Sequence, residues 1–515
     1  MPDARHDAPP ELDELTRRLA TVHDLRAASA VLGWDQMTYL PPKGGAARGR
    51  HLATLSRLAH EQFTDDRVGA LLDALRPYAS SLPADHPATA LVRVARHDWE
   101  KAVRVPGAFM AAFTEHCSAS YQAWATARPA NDFAGIAPVL ERTVEMSREY
   151  AAFFPATAHV ADAFVDEAEP GLDVAAVQAL FASLRARLVP LVREVVARPR
   201  PDDSCLTRGY PEDAQWRFGE MVARRLGYDF DRGRQDRAPH PFTTSFSRDD
   251  VRITTRLSHD DLRFGLFATM HEAGHGMYEQ GIAPGLDGTL LGSGASSGIH
   301  ESQSRLWENV VGRSRGFWEW GYPLLRAEFP GQLGDVTLDT FHRAVNRVEP
   351  SLIRVEADEL TYNLHIMMRF DFELALLDGS MRVADLPEAW RARFISDLGI
   401  APPDDRDGCL QDVHWFAGPV GGAFQGYTIG NVFAAQAYDR AIRDLPSIPS
   451  DVAQGEFAPL LGWMHANLHA LGRMFDVNET VVRATGAPLS IEPYVAYLER
   501  KFRGLYGSGS DTPLP

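Results

Sequence analysis

Cysteine is scarce in this chain, with only Cys117, Cys205 and Cys409 among 515 residues. They are far apart in sequence, without the close spacing of a disulfide framework or a zinc knuckle, and a reducing compartment is favoured. An excess of basic charge is missing as well. Fifty-two Lys and Arg against sixty-nine Asp and Glu leave a net charge of -17, which argues against a broad footprint for nucleic acid or for an anionic membrane. No stretch approaches about eighteen uninterrupted apolar residues, and the opening MPDARHDAPPELDELTRRLA has no basic patch leading into an apolar run. A membrane span and a secretory leader are therefore not expected, and the expected location is cytoplasmic. Strand-like alternation is rare too, and no repeat period is visible.

What remains is an ordinary globular composition, 45% hydrophobic and 23% charged, with enough apolar residues for a large core. Most of the chain carries apolar residues three and four apart, punctuated by Gly and Pro, which predicts a mostly α-helical fold. Leu12 to His23, Pro138 to Phe154, Val174 to Val196 and Ser351 to Leu377 read this way. One place departs from the helical rule. FTTSF and VRITT, within Phe242 to Thr255, flank the polar turn Ser247-Arg248-Asp249-Asp250 and predict a β-hairpin. No linker rich in Pro or Ser divides the chain. We expect a single catalytic domain over residues 1–505, with two lobes around a groove as an option, and a disordered tail at 506–515.

Immediately after the hairpin comes SHDDLRFGLFATMHEAGHGMYEQG. Ser258 followed by Asp261 resembles a capping signal, Gly281 supplies a stop, and Leu262, Leu266, Phe267 and Met270 give the helix an apolar face. The helix carries His271-Glu272-Ala273-Gly274-His275. Positions four apart on a helix stand one above the other, so both imidazoles reach one metal ion. Glu272, turned about 100° from His271, stays off the metal but within reach of a water held on it. The competing reading is an amphipathic helix with two solvated histidines. A catalytic zinc needs a third protein ligand and one open position. Glu301, near the start of a helix that Ser296 or Ser297 caps, completes a His2Glu set; His300 beside it is a competing ligand that spacing does not exclude. Glu308, further along, reads as a surface charge paired with Arg305.

These residues resemble the thermostable carboxypeptidase Taq family, the M32 metallocarboxypeptidases, over nearly the whole chain. Leu32-Gly33-Trp34-Asp35-Gln36, then Pro41-Pro42 and LATLSRLAHE, are similar to that family's opening. Its internal blocks follow in order: His240-Pro241-Phe242, the Asp250, Arg252 and Thr254 of DxRxT, HExxH, His300-Glu301-Ser302-Gln303, IRVEAD at Ile353 to Asp358, and GxxQDxHW at Gly408 to Trp415. The resemblance implies a large helical fold with a deep groove and a small β element beside the HExxH helix. It implies one zinc per chain on His271, His275 and Glu301, with cobalt or manganese as alternatives, Glu272 as general base, exopeptidase action on free C-termini, and a homodimer. It also suggests His414 or Tyr427 as oxyanion donors and puts His240 among the substrate-binding residues. One departure stands out. The family's tyrosine-rich loop after the HW pair reads Gly418-Pro419-Val420-Gly421-Gly422-Ala423-Phe424-Gln425-Gly426-Tyr427 here, so that Tyr427 matches its second tyrosine and the first is lost.

Restriction to C-termini requires a fixed cation for the free carboxylate. Arg354 is the first candidate and Arg252 the second, since a planar guanidinium matches a carboxylate in two-point fashion; the competing role for Arg354 is an intrahelical pair with Asp358. The hairpin edge offers backbone pairing to an extended peptide, which predicts broad specificity. Two other functions remain open: an oligopeptidase or dipeptidase with the same zinc chemistry, and a zinc-binding protein without catalysis.

Overall fold

The computed structural model describes residues 8–507. Tyr506 closes the last helix, Glu492–Tyr506, and its hydroxyl accepts a hydrogen bond from the Val348 N–H at 2.6 Å; the remainder of the expected tail, from 508, lies outside the described residues. Helices dominate the fold. Leu12 to His23 falls within the helix Pro10–Thr38 and Val174 to Val196 is a helix throughout, whereas Pro138 to Phe154 begins inside Phe133–Ala151 and runs past its end into a turn. Ser351 to Leu377 is a correction, because the stretch from Ser351 to Thr361 is irregular apart from a single turn at Arg354–Glu356 and the helix starts only at Tyr362. Asp358 explains the break. Its carboxylate accepts from the N–H groups of Glu349, Leu360 and Thr361, so it ends the loop and serves the helix entrance instead of continuing a helix through it.

Among the described residues three apolar clusters account for the core. One gathers Val174–Val196, Tyr362–Asp378 and the C-terminal helix, with Leu184, Leu188, Ile366 and Leu498 fully buried. Among the described residues Val174–Val196 is the helix long and apolar enough to span a membrane. Here its Val177, Phe181, Leu184 and Leu188 stripe packs into this cluster, while Arg185 and Arg187 on other faces pair with Asp371 and Glu499. A second cluster surrounds the HExxH helix Leu262–Gly281, and a third holds the N-terminal helices against Ile282 to Leu291. The helix Gln425–Asp444 joins the first two, giving Ile429 and Val432 to one and Phe433 and Ala437 to the other.

The hairpin is present as β2 (Thr243–Ser247) and β3 (Asp250–Thr255), and a further strand, β1 (Gly233–Arg237), pairs parallel to β3 in the order β1-β3-β2. The polar run GRQDR of β1 has no apolar alternation to announce it. Successive side chains of β3 face opposite ways: Ile253 approaches Gly276 of the HExxH helix, whereas Arg252 faces Trp34 of the first helix, its guanidinium 4.3 Å from the ring centroid.

Candidate metal centre

The helix carrying the two histidines begins one turn later than Ser258 suggests. Asp261 is the cap, its carboxylate accepting from the Arg263 N–H at 2.8 Å, and Leu262, Leu266, Phe267 and Met270 are buried as the pattern requires. Ser296 caps the second helix, Ser297–Arg305, through the Ile299 N–H at 3.1 Å. The two helices cross closely because Gly274, inside the HExxH run, faces backbone: a Cβ there would lie 2.6 Å from the Gln303 carbonyl oxygen. On the other side Gly430 leaves room for Glu301, whose Cβ is 2.8 Å from where a side chain would start. Larger residues at either position would push Glu301 out of place.

Glu301 Oε2 is thereby brought 3.6 Å from His271 Nε2 and 3.4 Å from His275 Nε2, and the three donor atoms lie within 4.8 Å of one another. Each ring is held from its far nitrogen, as metal-binding histidines generally are. His271 Nδ1–H donates to Glu308 Oε2 at 2.8 Å. His275 Nδ1 meets His300 Nδ1 at 2.6 Å, and His300 Nε2 meets Glu279 Oε1 at 2.9 Å. Since Glu279 accepts, His300 carries its proton on Nε2 and accepts on Nδ1 the hydrogen bond donated by His275 Nδ1–H, which leaves His275 Nε2 with its lone pair toward the cluster. His300 thus stands behind His275 and not in the donor group. Glu308 is no surface charge: its side chain is 13% exposed and is also held by Arg305 at 3.1 Å.

The electrostatics follow from this packing. Burial works against the Glu301 charge, but Arg305, 2.7 Å away, and then His271 hold its carboxyl well below the ordinary value. Burial likewise opposes the His271 charge, yet Glu301 and Glu308 carry its pKa up to about 9, while burial beside His300 sends that of His275 down to about 3. Glu272, off the cluster, has its carboxyl raised by burial, an effect partly offset by His271 and by Thr243, whose hydroxyl donates to Oε2 at 2.7 Å. Removing an outer partner of a metal-binding ring typically costs about 10–100-fold in metal affinity. Glu308→Ala is therefore expected to lower affinity by about that factor with the metal site otherwise intact, as a competition titration with a chromogenic chelator would measure; unchanged affinity would show that Glu308 does not orient His271.

Around this cluster the remaining residues separate. Tyr427 is half-buried at the start of Gln425–Asp444, with the Arg354 guanidinium 5.6 Å from its ring. Arg354 is itself buried and does not pair with Asp358; its guanidinium sits on Asp412, Nη2 to Oδ1 at 2.7 Å and Nε to Oδ2 at 3.1 Å, and its Nη1 lies 3.4 Å from the Tyr362 hydroxyl. Tyr362 in turn lies under Arg305, 4.5 Å from ring centroid to guanidinium, which links this corner to Glu301. His414 heads the short helix His414–Ala417 with Nδ1 3.5 Å from Asp412 Oδ1. Arg252 is bound to Asp250 at 2.8 Å on the far face of the sheet, and His240 is exposed in the loop before β2. The structure brings neither of them to the cluster.

The carboxypeptidase Taq (M32) metallopeptidase family matches residues 14–502. The chain belongs to that family. This M32 metallocarboxypeptidase is 43% identical to thermostable carboxypeptidase 1 of Thermus thermophilus, over 94% of this chain and 96% of the relative. It is 37% identical to carboxypeptidase 1 of Bacillus subtilis, over 97% and 99%. Among solved structures, the M32 carboxypeptidase of Deinococcus radiodurans superposes with a TM-score of 0.94 at 46% identity, covering 97% of this chain and all of that one. The Pyrococcus furiosus carboxypeptidase gives 0.92 at 31%, covering 96% and 99%. The mostly helical fold and the assignment as a hydrolase acting on peptides stand on these relationships, and a metallopeptidase implies a metal ion, for which His271, His275 and Glu301 form a suitable donor group.

Proposed function

We propose that this enzyme is a zinc carboxypeptidase of broad specificity in which Glu272 moves the proton and Arg354 reads the free C-terminus. The observation that carries the reading is the convergence of two imidazole nitrogens and one ionised carboxylate on one point, with a fourth group, Glu272, beside it but outside the donor set. Two neutral nitrogens and one anionic oxygen suit zinc, and suit cobalt or manganese less selectively. When bound there, zinc acts as a Lewis acid that lowers the pKa of a water to about 7 and polarises the scissile carbonyl.

The chain's own residues supply the rest. Thr243 fixes one oxygen of Glu272, leaving the other free to take a proton from the attacking water and return it to the departing nitrogen. Burial raises this carboxyl, which favours the protonated form it takes on between the two transfers. Tyr427, its phenol pushed up to about 12 chiefly by burial, stays protonated and serves with His414 as a hydrogen-bond donor to the oxyanion. Because Asp412 occupies the Nε and Nη2 edge of Arg354, the substrate carboxylate is received at Nη1, whose contact is the long one to the Tyr362 hydroxyl at 3.4 Å. β2, at the sheet edge and touching Glu272 through Thr243, offers backbone pairing that is indifferent to side chains.

A blocked dipeptide with a free C-terminus and the same compound amidated test the role of Arg354. The free acid is expected to be cleaved and the amide resisted, and Arg354→Ala should remove about 2–5 kcal/mol of transition-state binding for the acid alone. Equal rates on both compounds with wild-type enzyme would defeat it. Metal analysis of protein purified without added ions identifies the resident metal.

A further inference from the structure

Asp412 is shared by two arginines. Besides Arg354 it accepts from Arg369 Nε on Oδ2, and Arg369 is wholly buried on the helix Tyr362–Asp378, its Nη1 donating to the His365 carbonyl at 2.8 Å and its guanidinium 4.7 Å from the Trp390 ring centroid. No step of the proposed reaction touches Arg369. A fully buried guanidinium is costly to keep, and simple cohesion is served as well by an apolar side chain of the same volume.

We propose that Arg369 and Asp412 are positioning residues for recognition of the C-terminal carboxylate: Asp412 locks the orientation of Arg354, and Arg369 offsets the charge of Asp412 so that Arg354 meets the substrate with its positive charge undiminished. The inference rests on the reading that Arg354 binds that carboxylate. Arg354 and Asp412 alone form a neutral pair, a poor lure for an anion. With Arg369 the trio carries one net positive charge. Arg369 is out of reach of any ligand, so this surplus is met at Arg354, which is 6% exposed. The charge states agree with the arrangement. Burial opposes the Asp412 charge, but Arg369 and then Arg354 hold its carboxyl well below the ordinary value, and burial brings Arg369 down only to about 10, so that it is still protonated at neutral pH. In sequence Asp412 falls inside the GxxQDxHW block, whereas Arg369 sits in an apolar helix with nothing to mark it.

The alternative is that the trio merely ties the loop around Arg354 to the body of the fold. The two roles separate in the preference for acid over amide. In metal-loaded enzyme, inhibition constants are measured for N-acetylphenylalanine and for its amide. Wild type is expected to favour the acid, and Arg354→Ala to abolish the preference. Arg369→Met should cut it at least tenfold while the amide constant moves less than threefold; Arg369→Lys, which keeps the charge, should retain most of it. A folded Arg369→Met enzyme with the wild-type preference, or one that loses acid and amide equally, overturns the proposal. If Arg369→Met does not fold, Arg369→Lys is decisive alone: a folded Lys variant as indifferent as Arg354→Ala refutes the electrostatic role. Retention of the preference by Arg354→Ala itself would instead remove the recognition reading on which the inference rests.

Discussion

Glu272→Gln is expected to bind metal as tightly as wild type and to lose about 10²–10⁴-fold in kcat, the usual contribution of a positioned acid–base group. The reasoning is geometric. Glu272 is one residue past His271, so its side chain leaves the helix about 100° from the first imidazole and about 60° from the second, and its Oε2 is taken by Thr243 rather than by the donor cluster. Gln has the same shape and its amide oxygen still accepts from the Thr243 hydroxyl, so neither the helix nor the ligands have reason to move. What is lost is a group that can carry a proton. The substitution should also leave the fold equally or more stable. Burial has raised the Glu272 carboxyl, which means that the folded state disfavours its ionised form; above the ordinary carboxyl pKa that ionised form weakens folding, and a neutral amide removes the penalty. Metal content, kcat and thermal midpoint measured on one preparation give the test. A Gln variant with near wild-type turnover would place the proton transfer on another group, and one that has lost its metal would make Glu272 part of the donor set.

Much of this centre was legible before any coordinates, and the limits have physical causes. The i, i+4 histidines and the Ser296 cap are local rules, and they place His271, His275 and Glu301 on two helices with little else required. Their closeness is a tertiary fact, made by Gly274 and Gly430, though a glycine between the two histidines hints at it. The burial of Glu308 has a cause the helix itself contains: Glu301, Arg305 and Glu308 recur at i, i+4 and i+7, one face of one helix, so a carboxylate on that face belongs with Glu301 and not with solvent. The helix there widens into a π turn at Leu306–Val311, an irregularity common near functional sites. Asp412, Arg369 and Thr243 are different. Thr243 and Glu272 are 29 positions apart, Arg369 and Asp412 43, and Arg354 and Asp412 58, and no periodicity in one element encodes a pairing with another. The break before Tyr362 is hidden in the sequence because the stretch from Ser351 keeps an apolar rhythm that the Asp358 side chain overrides locally.

Glu301→Ala should release the metal altogether, with loss of all measurable peptidase activity, and His300→Ala should not. The two residues are adjacent, and the sequence offered both as the third ligand; the structure puts Glu301 Oε2 against both Nε2 atoms, whereas His300 contacts the ring of His275 from behind. Removing Glu301 takes away the anionic donor and leaves Arg305 with Glu308 as its remaining acidic partner, so the Arg305 charge then faces the metal with less negative charge to balance it. Removing His300 costs only the support of His275, an effect of about 10–100-fold in affinity that excess metal in the assay can overcome. The pH dependence adds an independent sign. Glu301 and Glu308 together keep a proton on metal-free His271 up to about 9, and a metal must displace it, so affinity should rise with pH to that value and then level off. In Glu301→Gln, which keeps the shape but not the charge, the levelling should come at lower pH along with the weaker binding. Dialysis against chelator followed by metal analysis and a competition titration at several pH values reads all three variants. If the Ala variant at Glu301 kept its metal while that at His300 lost it, the donor set would have to be redrawn around His300.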